Sequence, residues 1–332
     1  MPKKTQITVA GYFHNFILNT KKPEVSPVTY TSYEVAEAHI RSGFAGKRLS
    51  ALSRMECQEF FSTFAQTHAH ATTGDLYTKL KCALDYAVYD GLIERNPCFR
   101  LTIGGAETAR KKSLHQVEAL SIEEARKLTD ILNPLELNTP TGSNRTDNKP
   151  QAYDLMILIA LRTGMRIAEV YGLTWDHIDL GRKPFIKVDR TRNYKSPEPT
   201  FKPTKTKSSI REISIDDTLA DTLLAFKHKY PPENEEDLLF PATGLGVAAI
   251  PATINTRLTM LCKQAEVPRI HFHQLRHTHG SILLARGVPL IAISRRLGHA
   301  NVSITQNIYL HEIEESKKNN DDRIITAMEA IA

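Results

Sequence analysis

The spacing of apolar residues changes from helical to alternating and back to helical along the chain, and this pattern limits the fold more than any other feature. Residues 10–103 place apolar residues at helical spacing, as in TSYEVAEAHIRSGF, and that spacing returns from about Ile254 onward. Such spacing predicts amphipathic helices. Between these regions, residues 184–215 alternate as PFIKVDRTR and SSIREISI around a basic turn, which predicts a small antiparallel strand group. The sequence therefore predicts a mainly α fold with a small antiparallel β-sheet.

The chain of 332 residues is longer than most single domains, which predicts two domains. The first, residues 1–103, has helical spacing almost throughout, and Pro97 is predicted to end its last helix. A linker is predicted over residues 104–118, because the stretch TIGGAETARKKS at 102–113 contains glycines and basic residues that are typical of linkers. The second domain is predicted over residues 119–332.

Three local patterns predict elements of the second domain. Ser121 and Glu124 have the spacing of a capping box, which predicts a helix that begins beside them. The stretch at about 133–151 is rich in Pro, Asn and Thr and is predicted to be a loop. After a polar break, apolar residues on one face predict a tail helix at about 312–332, packed on its own domain or on a neighbouring copy.

The net charge is +6 at pH 7, which favours a polyanionic partner. The excess is concentrated in two stretches. Residues 1–112 contain fifteen Lys and Arg against ten Asp and Glu, and residues 182–211 contain ten against two. Each stretch is a candidate phosphate-facing surface, although a run of charge is as often a solvated face.

Composition excludes several other classes of protein. No apolar run approaches the roughly 20 residues that cross a bilayer, and the N-terminus lacks the pattern of a secretory signal, so a cytoplasmic location is expected. The cysteines are widely spaced without a CxxC pair, which predicts reduced core thiols rather than a zinc site or a disulfide framework. They are Cys57, Cys82, Cys98 and Cys262.

Chemistry-bearing residues concentrate near the C-terminus, where residues 271–311 contain six histidines, four arginines and one tyrosine. His273 and Arg276 share one helix face. The turn Leu297-Gly298-His299 is followed by a segment that carries Tyr309, and Ser303 and Gln306 in that segment have capping-box spacing. Ionising a tyrosine at neutral pH costs roughly 4 kcal/mol, so an attacking tyrosine needs cationic neighbours. Two arginines also stabilise the charge of a phosphodiester under attack without a metal.

The order of these residues resembles the tyrosine recombinase (phage integrase) family, particularly integrases of temperate phages and conjugative transposons. The matching segments are TGMRIAEVYGLTWDHID, TKTKSSIREI, the HxxR motif, LGH and a tyrosine ten residues after its histidine. VSPVTYTSYEVAEAHI and GLIERNP resemble that family's core-site-binding domain, so the likeness covers nearly the whole chain. The resemblance implies a helical core-binding domain followed by an α+β tyrosine-recombinase catalytic domain, with no cofactor and no metal.

The resemblance also implies a role for each matching residue. Two arginines clamp the scissile phosphate, a hairpin lysine protonates the leaving 5′-oxygen, two histidines act as acid, base or hydrogen-bond donor, and a tyrosine is the nucleophile. The two arginines are Arg166 and Arg276, and the lysine is Lys205. The two histidines are His273 and His299, and the nucleophile is Tyr309. Glu169 occupies a supporting acidic position. Ser214 stands where the family usually has proline, which leaves the catalytic lysine open between Lys205 and Lys207.

The expected partner is double-stranded DNA at attachment or core sites, bound by a protein that is monomeric when free and a homotetramer in the synapse. A directionality factor or a host DNA-bending protein is a further candidate partner, whereas a membrane is not. The short N-terminus predicts no binding to distant arm sites. Beyond the catalytic set, candidate DNA contacts are Lys79, Lys81, Arg110, Lys111, Lys112, Lys202, Lys207 and Arg211.

Plainer or different interpretations stay open at this stage. Taken alone, Tyr309 is typical of a half-buried core tyrosine and Arg166 of a helix-end arginine paired with Glu169. His273, His277 and His279 include a metal-ligand spacing, although His271 and His279 are most simply local structural or surface residues. The chain is alternatively a DNA-binding relative without catalysis, or a type IB-like topoisomerase that uses the same nucleophile.

Overall fold

The computed structural model describes residues 6–106, 119–132, 149–193, 200–204, 206–231, 236–241, 251–309 and 329. The chain divides into two compact units, Met1–His115 and Gln116–Ala332. This division falls inside the stretch 104–118 that the sequence assigns to a linker, whereas the exact domain limits stay predictions. None of the helices in the described ranges is long and apolar enough to cross a membrane.

The first unit is helical, as the apolar spacing predicts. Its helices are α1 Val9–Phe16, extended by the π-helix Ile17–Lys21 and the turn Lys22–Glu24, then α2 Pro27–Gly43, the 3-10 turn Leu49–Ala51, α3 Arg54–Ala65 and α4 His70–Tyr89. Ser26 caps α2, and Ser53 forms a capping box with Glu56 at the start of α3. The apolar faces meet in a core that includes Phe13 and Phe61.

The prediction that Pro97 ends the last helix of this unit was wrong. Helix α4 ends at Tyr89, with Asp90 as its C-cap. Gly91 follows with φ +67°, a left-handed conformation that ends helices readily. The glycine therefore breaks the helix well before the proline is reached.

The second unit is mixed, with helices around small antiparallel sheets, and the predicted fold class is confirmed. Its elements are α5 Ile122–Leu132, α6 Lys149–Thr163, α7 Ile167–Tyr171, the 3-10 turn Trp175–His177, β1 Ile178–Asp179, β2 Phe185–Val188, β3 Arg190–Arg192, β4 Phe201–Pro203, the 3-10 turn Lys207–Ser209, β5 Arg211–Ser214, α8 Asp217–Lys229, α9 Pro251–Gln264, α10 Phe272–Ala285, α11 Leu290–Leu297 and α12 Val302–Ile308.

The strands form two antiparallel groups. One sheet has the order β1-β2-β5, and β3 pairs with β4 in a separate hairpin. Ile186 lies opposite Ile213 in the first sheet, and both are fully buried. Alternation along β2 therefore turns its apolar residues to the core, as the sequence pattern predicts.

Helix α6 is the centre of this unit. Residues 152–161 are buried without a break, so the helix is covered on every side, and it packs against α5, α9 and α10. It begins at Lys149, so the end of the predicted loop at 149–151 is helical, while residues 133–148 lie outside the described residues. A central helix places its C-terminal end, at Thr163, next to the helix that carries the HxxR motif.

The two predicted capping boxes have different outcomes. Ser121 and Glu124 exchange side-chain-to-backbone hydrogen bonds of 2.8 and 3.2 Å, which confirms the first. The box predicted at Ser303 was wrong, because Asn301 caps helix α12 and accepts from the Ser303 amide at 2.9 Å. The helix begins at Val302, so Ser303 lies inside its first turn and the N-cap position falls on Asn301. The predicted tail helix lies outside the described residues apart from Glu329.

Candidate active site

Helix α10 carries Arg276, the first residue of the site. The Arg276 Nη1 atom donates to the Gly164 carbonyl at 2.8 Å, at the turn after α6. The Nη2 atom is buried and has no hydrogen-bond partner among the described residues. Burial, with the positive charge of Arg166 and Arg211 nearby, lowers the pKa of Arg276 to about 9. A charged buried donor without an acceptor fits the binding of an anion.

Arg166 immediately precedes helix α7 and pairs with Glu169 one turn later. Its Nη1 atom lies 2.8 Å from Glu169 Oε1, and its backbone amide donates to Oε2 at 2.9 Å. The Arg166 side chain is 42% exposed, whereas that of Glu169 is 1% exposed. Burial opposes ionisation of Glu169, but hydrogen bonds and charge from Arg211 and Arg166 outweigh it and lower its pKa. The carboxylate therefore holds an arginine that still faces outward.

His299 follows the turn that ends helix α11. Gly298 has φ +72°, a left-handed conformation that a side chain would strain. The His299 Nδ1 atom forms a 2.7 Å hydrogen bond with the buried Thr305 hydroxyl. Burial and the charges of Arg276 and Arg166 lower the pKa of His299 to about 4. At neutral pH the ring is uncharged, so it is able to accept a proton.

Tyr309 is the C-cap of helix α12 and is only 1% exposed. Its ring packs with Ile293 and Leu297 of helix α11. The hydroxyl makes a long contact of 3.5 Å to the His277 carbonyl on helix α10. The hydroxyl also lies against Gly280, where an added Cβ atom would be 1.9 Å from its oxygen, and Gly280 is one turn beyond Arg276, so the hydroxyl packs on the helix face that carries the arginine.

Comparison with known proteins decides which family has this arrangement. Residues 123–316 match the family described as the phage integrase family, and this segment spans more than half of the chain. The chain belongs to the phage integrase family. Its enzyme class is therefore that of the tyrosine recombinases.

Individual relatives agree with the family. The chain is 28% identical over 342 residues to a tyrosine recombinase XerC-like protein of Caldanaerobacter subterraneus subsp. tengcongensis, which covers 94% of this chain and 81% of the relative. It is 24% identical to the ICEBs1 integrase of Bacillus subtilis, over 87% of this chain and 75% of the relative. The solved structure of the Tn1549 transposon integrase in complex with a circular intermediate DNA has the same fold, with a TM-score of 0.75 and 19% identity. The match covers 96% of this chain and 99% of the integrase chain.

The remaining residues matched to the family's catalytic positions are less well placed. His273 is exposed on the first turn of α10, and its ring centroid lies 6.2 Å from that of His271 and 6.0 Å from that of His277. Lys205 and the side chain of Lys207 lie outside the described residues, so the choice between them stays open. The structure therefore groups Arg166, Arg276, His299 and Tyr309, with His273 at the end of the same helix.

Two predicted DNA contacts need correction because their side chains are buried in ion pairs. Lys79 is 7% exposed, and its amine bonds Asp75 and Ser32 inside the first unit. Arg211 has a side-chain exposure of 6% and bonds both Glu169 oxygens, at 2.9 and 3.2 Å. Neither cation is presented to a phosphate backbone.

The other predicted contacts divide between surface residues and residues without a description. Lys81 has a side-chain exposure of 41% and lies 3.7 Å from Asp85, and Lys202 is partly exposed on β4. Both remain candidate DNA contacts. Arg110, Lys111 and Lys112 lie outside the described residues.

Sequence reasoning missed the role of Arg296, which immediately precedes the LGH turn. Its guanidinium donates to His279 Nε2 at 2.9 Å, to the Ser214 carbonyl at 3.1 Å and to the Arg162 carbonyl at 3.3 Å. His279 in turn donates from Nδ1 to the Leu161 carbonyl at 2.9 Å. Arg296 thereby joins α11 to α6, α10 and β5. Its position beside the motif was the available signal.

The histidine-rich segment does not form a metal site within the described ranges. Both ring nitrogens of His279 are engaged, and burial followed by the charge of Arg296 lowers its pKa to about 3. Among the described residues, no group of three or more His, Cys, Asp or Glu side chains is arranged to hold a metal ion. His279 therefore has a structural role, because it links Leu161 on α6 to Arg296 on α11.

Proposed function

We propose that this chain is the site-specific recombinase of a mobile genetic element, which cuts and rejoins duplex DNA through a 3′-phosphotyrosine at Tyr309. The observation that carries the proposal is the buried Nη2 atom of Arg276, which has no acceptor among the described residues and lies on the helix face against which the Tyr309 hydroxyl packs. The relatives support the mobile-element role, since they include the ICEBs1 integrase and the Tn1549 transposon integrase.

The scissile phosphate binds between Arg166 and Arg276. Negative charge grows on the non-bridging oxygens during attack, and guanidinium groups held in place stabilise that charge without reorganising. Glu169 keeps Arg166 in position through its hydrogen bonds to the guanidinium and the backbone. Bound phosphate also supplies the acceptor that the Nη2 atom of Arg276 lacks.

The chemical step transfers the phosphoryl group at the 3′ end of the cut strand from the 5′-oxygen to the tyrosine. The Tyr309 oxygen forms a bond to phosphorus, the bond to the 5′-oxygen breaks, and the 3′ end remains attached to the tyrosine. His299, uncharged in the free protein, helps to position or deprotonate the hydroxyl. Lys205 or Lys207 protonates the leaving 5′-oxygen. A 5′-hydroxyl from a second strand reverses the same steps, so rejoining conserves the bond energy and requires no ATP.

DNA binding is coupled to exposure of the nucleophile in this proposal. Tyr309 is 1% exposed in the free protein, so its hydroxyl is not open to a duplex. A phosphate between the arginines favours whichever arrangement brings the hydroxyl to it, and a ligand shifts a conformational equilibrium by its difference in affinity for the two states. Cleavage is thereby restricted to protein that has engaged its site.

Assembly follows from the reaction. Recombining two duplexes cuts four strands, which requires four tyrosines and hence a homotetramer on two sites. We propose that the free protein is monomeric and cytoplasmic, that residues 1–103 bind the core site, and that the tail at about 312–332 docks on a neighbouring copy. A directionality factor or a DNA-bending protein determines whether the reaction runs as integration or as excision.

A nicked duplex taken from DNA next to the protein's own gene tests this function. The nick lets the short released fragment, which carries the free 5′-hydroxyl, diffuse away, so an SDS-resistant protein–DNA adduct accumulates. Binding without an adduct identifies a relative that does not cut. An adduct with relaxation of supercoils but no exchange between two sites identifies a topoisomerase. Adduct and exchange together support the proposal.

A further inference from the structure

The buried carboxylate of Glu169 is shared by two arginines. Its Oε1 atom accepts from Arg166 Nη1 at 2.8 Å and from Arg211 Nη1 at 3.2 Å. Its Oε2 atom accepts from the Arg166 amide and from Arg211 Nη2, both at 2.9 Å. One negative charge therefore lies between two positive charges.

The two arginines differ in how firmly they are held. The Arg211 Nε atom donates to the Arg296 carbonyl at 2.7 Å, and Nη1 donates also to the Ser209 carbonyl at 3.0 Å. The guanidinium lies flat against Gly298, where an added Cβ atom would be 3.0 Å from Nη1. Arg211 is therefore fixed on all sides, with 6% of its side chain exposed, whereas 42% of the Arg166 side chain is exposed.

This difference decides how the charges divide. A carboxylate buried with a single cationic partner pairs with it strongly, because little solvent competes for either charge. If Arg211 were absent, Arg166 would be the one cation hydrogen-bonded to Glu169 among the described residues, and the pair would be close to neutral. With Arg211 in place, the Glu169 charge is compensated from behind, and the Arg166 charge remains available to a phosphate.

We propose that Arg211 is a positioning residue of the cleavage reaction: it acts as the fixed counter-ion of Glu169, so that Glu169 orients Arg166 without cancelling its charge. The inference rests on the proposed function, because Arg166 is assigned there to the scissile phosphate. Arg211 also joins three parts of the site, since it contacts Glu169, the carbonyl of Arg296 before the LGH turn and the end of the lysine-bearing turn at Ser209.

A charge-balancing role predicts a rescue that a purely structural role does not. We expect Arg211→Met to slow single-turnover cleavage about 100-fold at saturating DNA, the scale on which a preorganised donor acts. Adding Glu169→Gln is expected to recover about tenfold, because a neutral amide no longer holds the Arg166 charge. A double variant no faster than Arg211→Met alone overturns the proposal.

Another buried pair in the same unit serves as a matched control. Arg257 bonds both oxygens of Asp154, at 2.7 and 2.6 Å, on helices α9 and α6. Arg257→Met is expected to lower stability without slowing cleavage by the folded protein, and adding Asp154→Asn is expected to leave that rate unchanged. If the Arg211→Met variant does not fold, Arg211→Lys and Arg211→Gln replace it, with the charged variant expected about tenfold faster. Equal rates for those two also overturn the proposal.

A measurement without chemistry separates this inference from the proposed function. Inorganic phosphate is expected to raise the unfolding temperature of the wild type by binding between Arg166 and Arg276. The rise is expected to shrink in Arg211→Met and to return when Glu169→Gln is added. A wild type that forms no DNA adduct contradicts the recombinase assignment, while this phosphate response still tests Arg211. The same response in all three proteins overturns its role.

Discussion

The hydroxyl oxygen of Tyr309 occupies the space that a side chain on Gly280 would fill. An ideal Cβ atom on Gly280 would lie 1.9 Å from that oxygen and 2.4 Å from the ring carbon that bears it. Gly280 is one turn beyond Arg276 on helix α10, so the two residues share a helix face. Because Gly280 has no side chain, the hydroxyl is able to lie against the helix that carries Arg276.

Gly280→Ala is therefore expected to displace the tyrosine. Overpacking typically costs about 1–3 kcal/mol in the free energy of unfolding, and a misplaced nucleophile slows reaction on the order of 100-fold. Urea unfolding and single-turnover cleavage measure the two effects. Gly74→Ala in helix α4 is the control, since nothing lies within 4 Å of its added Cβ. That variant is expected to gain about 0.5–1 kcal/mol. Wild-type cleavage by Gly280→Ala would show that the space beside Gly280 does not position the hydroxyl for reaction.

Arg276→Met is expected to raise the stability of the DNA-free protein while it abolishes cleavage. Burial lowers the pKa of Arg276 from its much higher ordinary value to about 9, so its charged form destabilises the folded state at every pH below about 9. The unfolded state binds more protons between these two values, so stability rises with pH across that interval. Replacing buried charge with an apolar side chain typically gains about 1–4 kcal/mol.

Thermal unfolding at pH 7 tests this trade between stability and function. The loss of the bond to the Gly164 carbonyl opposes the gain, so the sign of the change is informative. A lower unfolding temperature for Arg276→Met than for the wild type contradicts the view that the guanidinium is held unsatisfied for a phosphate.

Acid is expected to destabilise the protein partly through His279. Burial, together with the charge of Arg296, lowers its pKa from 6.5 to about 3. The unfolded state therefore binds the extra proton first, so stability is full above pH 6.5 and is lost as pH falls toward 3. The loss from this group is about 1.4 kcal/mol per pH unit.

His279→Gln separates the protonation effect from the contacts. A glutamine amide is able to accept from Arg296 and donate to the Leu161 carbonyl, yet it does not titrate. Urea unfolding between pH 4.5 and 7 is expected to show a flatter pH dependence for this variant. His279→Ala, which removes both bonds, is expected to be less stable at every pH. An unchanged slope for His279→Gln excludes the histidine as a source of the acid sensitivity.

Local patterns in the sequence predicted most of the fold. Helical spacing, the capping box at Ser121 and the alternation along β2 depend on residues a few positions apart, so they are visible in one dimension. The candidate catalytic residues were found for a different reason. Their order and spacing match a family, and the structure brings Arg166, Arg276, His299 and Tyr309 together, while their catalytic roles stay predictions.

What the sequence did not predict depends on distant partners. Arg211 lies in a basic stretch typical of a DNA-facing surface, but its partner Glu169 is 42 residues away and buried. Arg296 bonds a carbonyl 134 residues away, which no local pattern encodes. A charged residue next to other charges is predicted to be exposed. Only the three-dimensional arrangement shows that such a residue is buried because it pairs with a buried carboxylate.

The identity of the attacking oxygen is the central claim, and mass spectrometry of the covalent adduct tests it most directly. Wild-type protein is incubated with the nicked duplex in the presence of EDTA, digested, and searched for a peptide that carries a 3′-phosphonucleotide. We predict the modification on Tyr309 alone, with no adduct from Tyr309→Phe although that variant binds the same DNA with nearly unchanged affinity. An SDS-resistant adduct in Tyr309→Phe, or a modified residue other than Tyr309, would contradict the account.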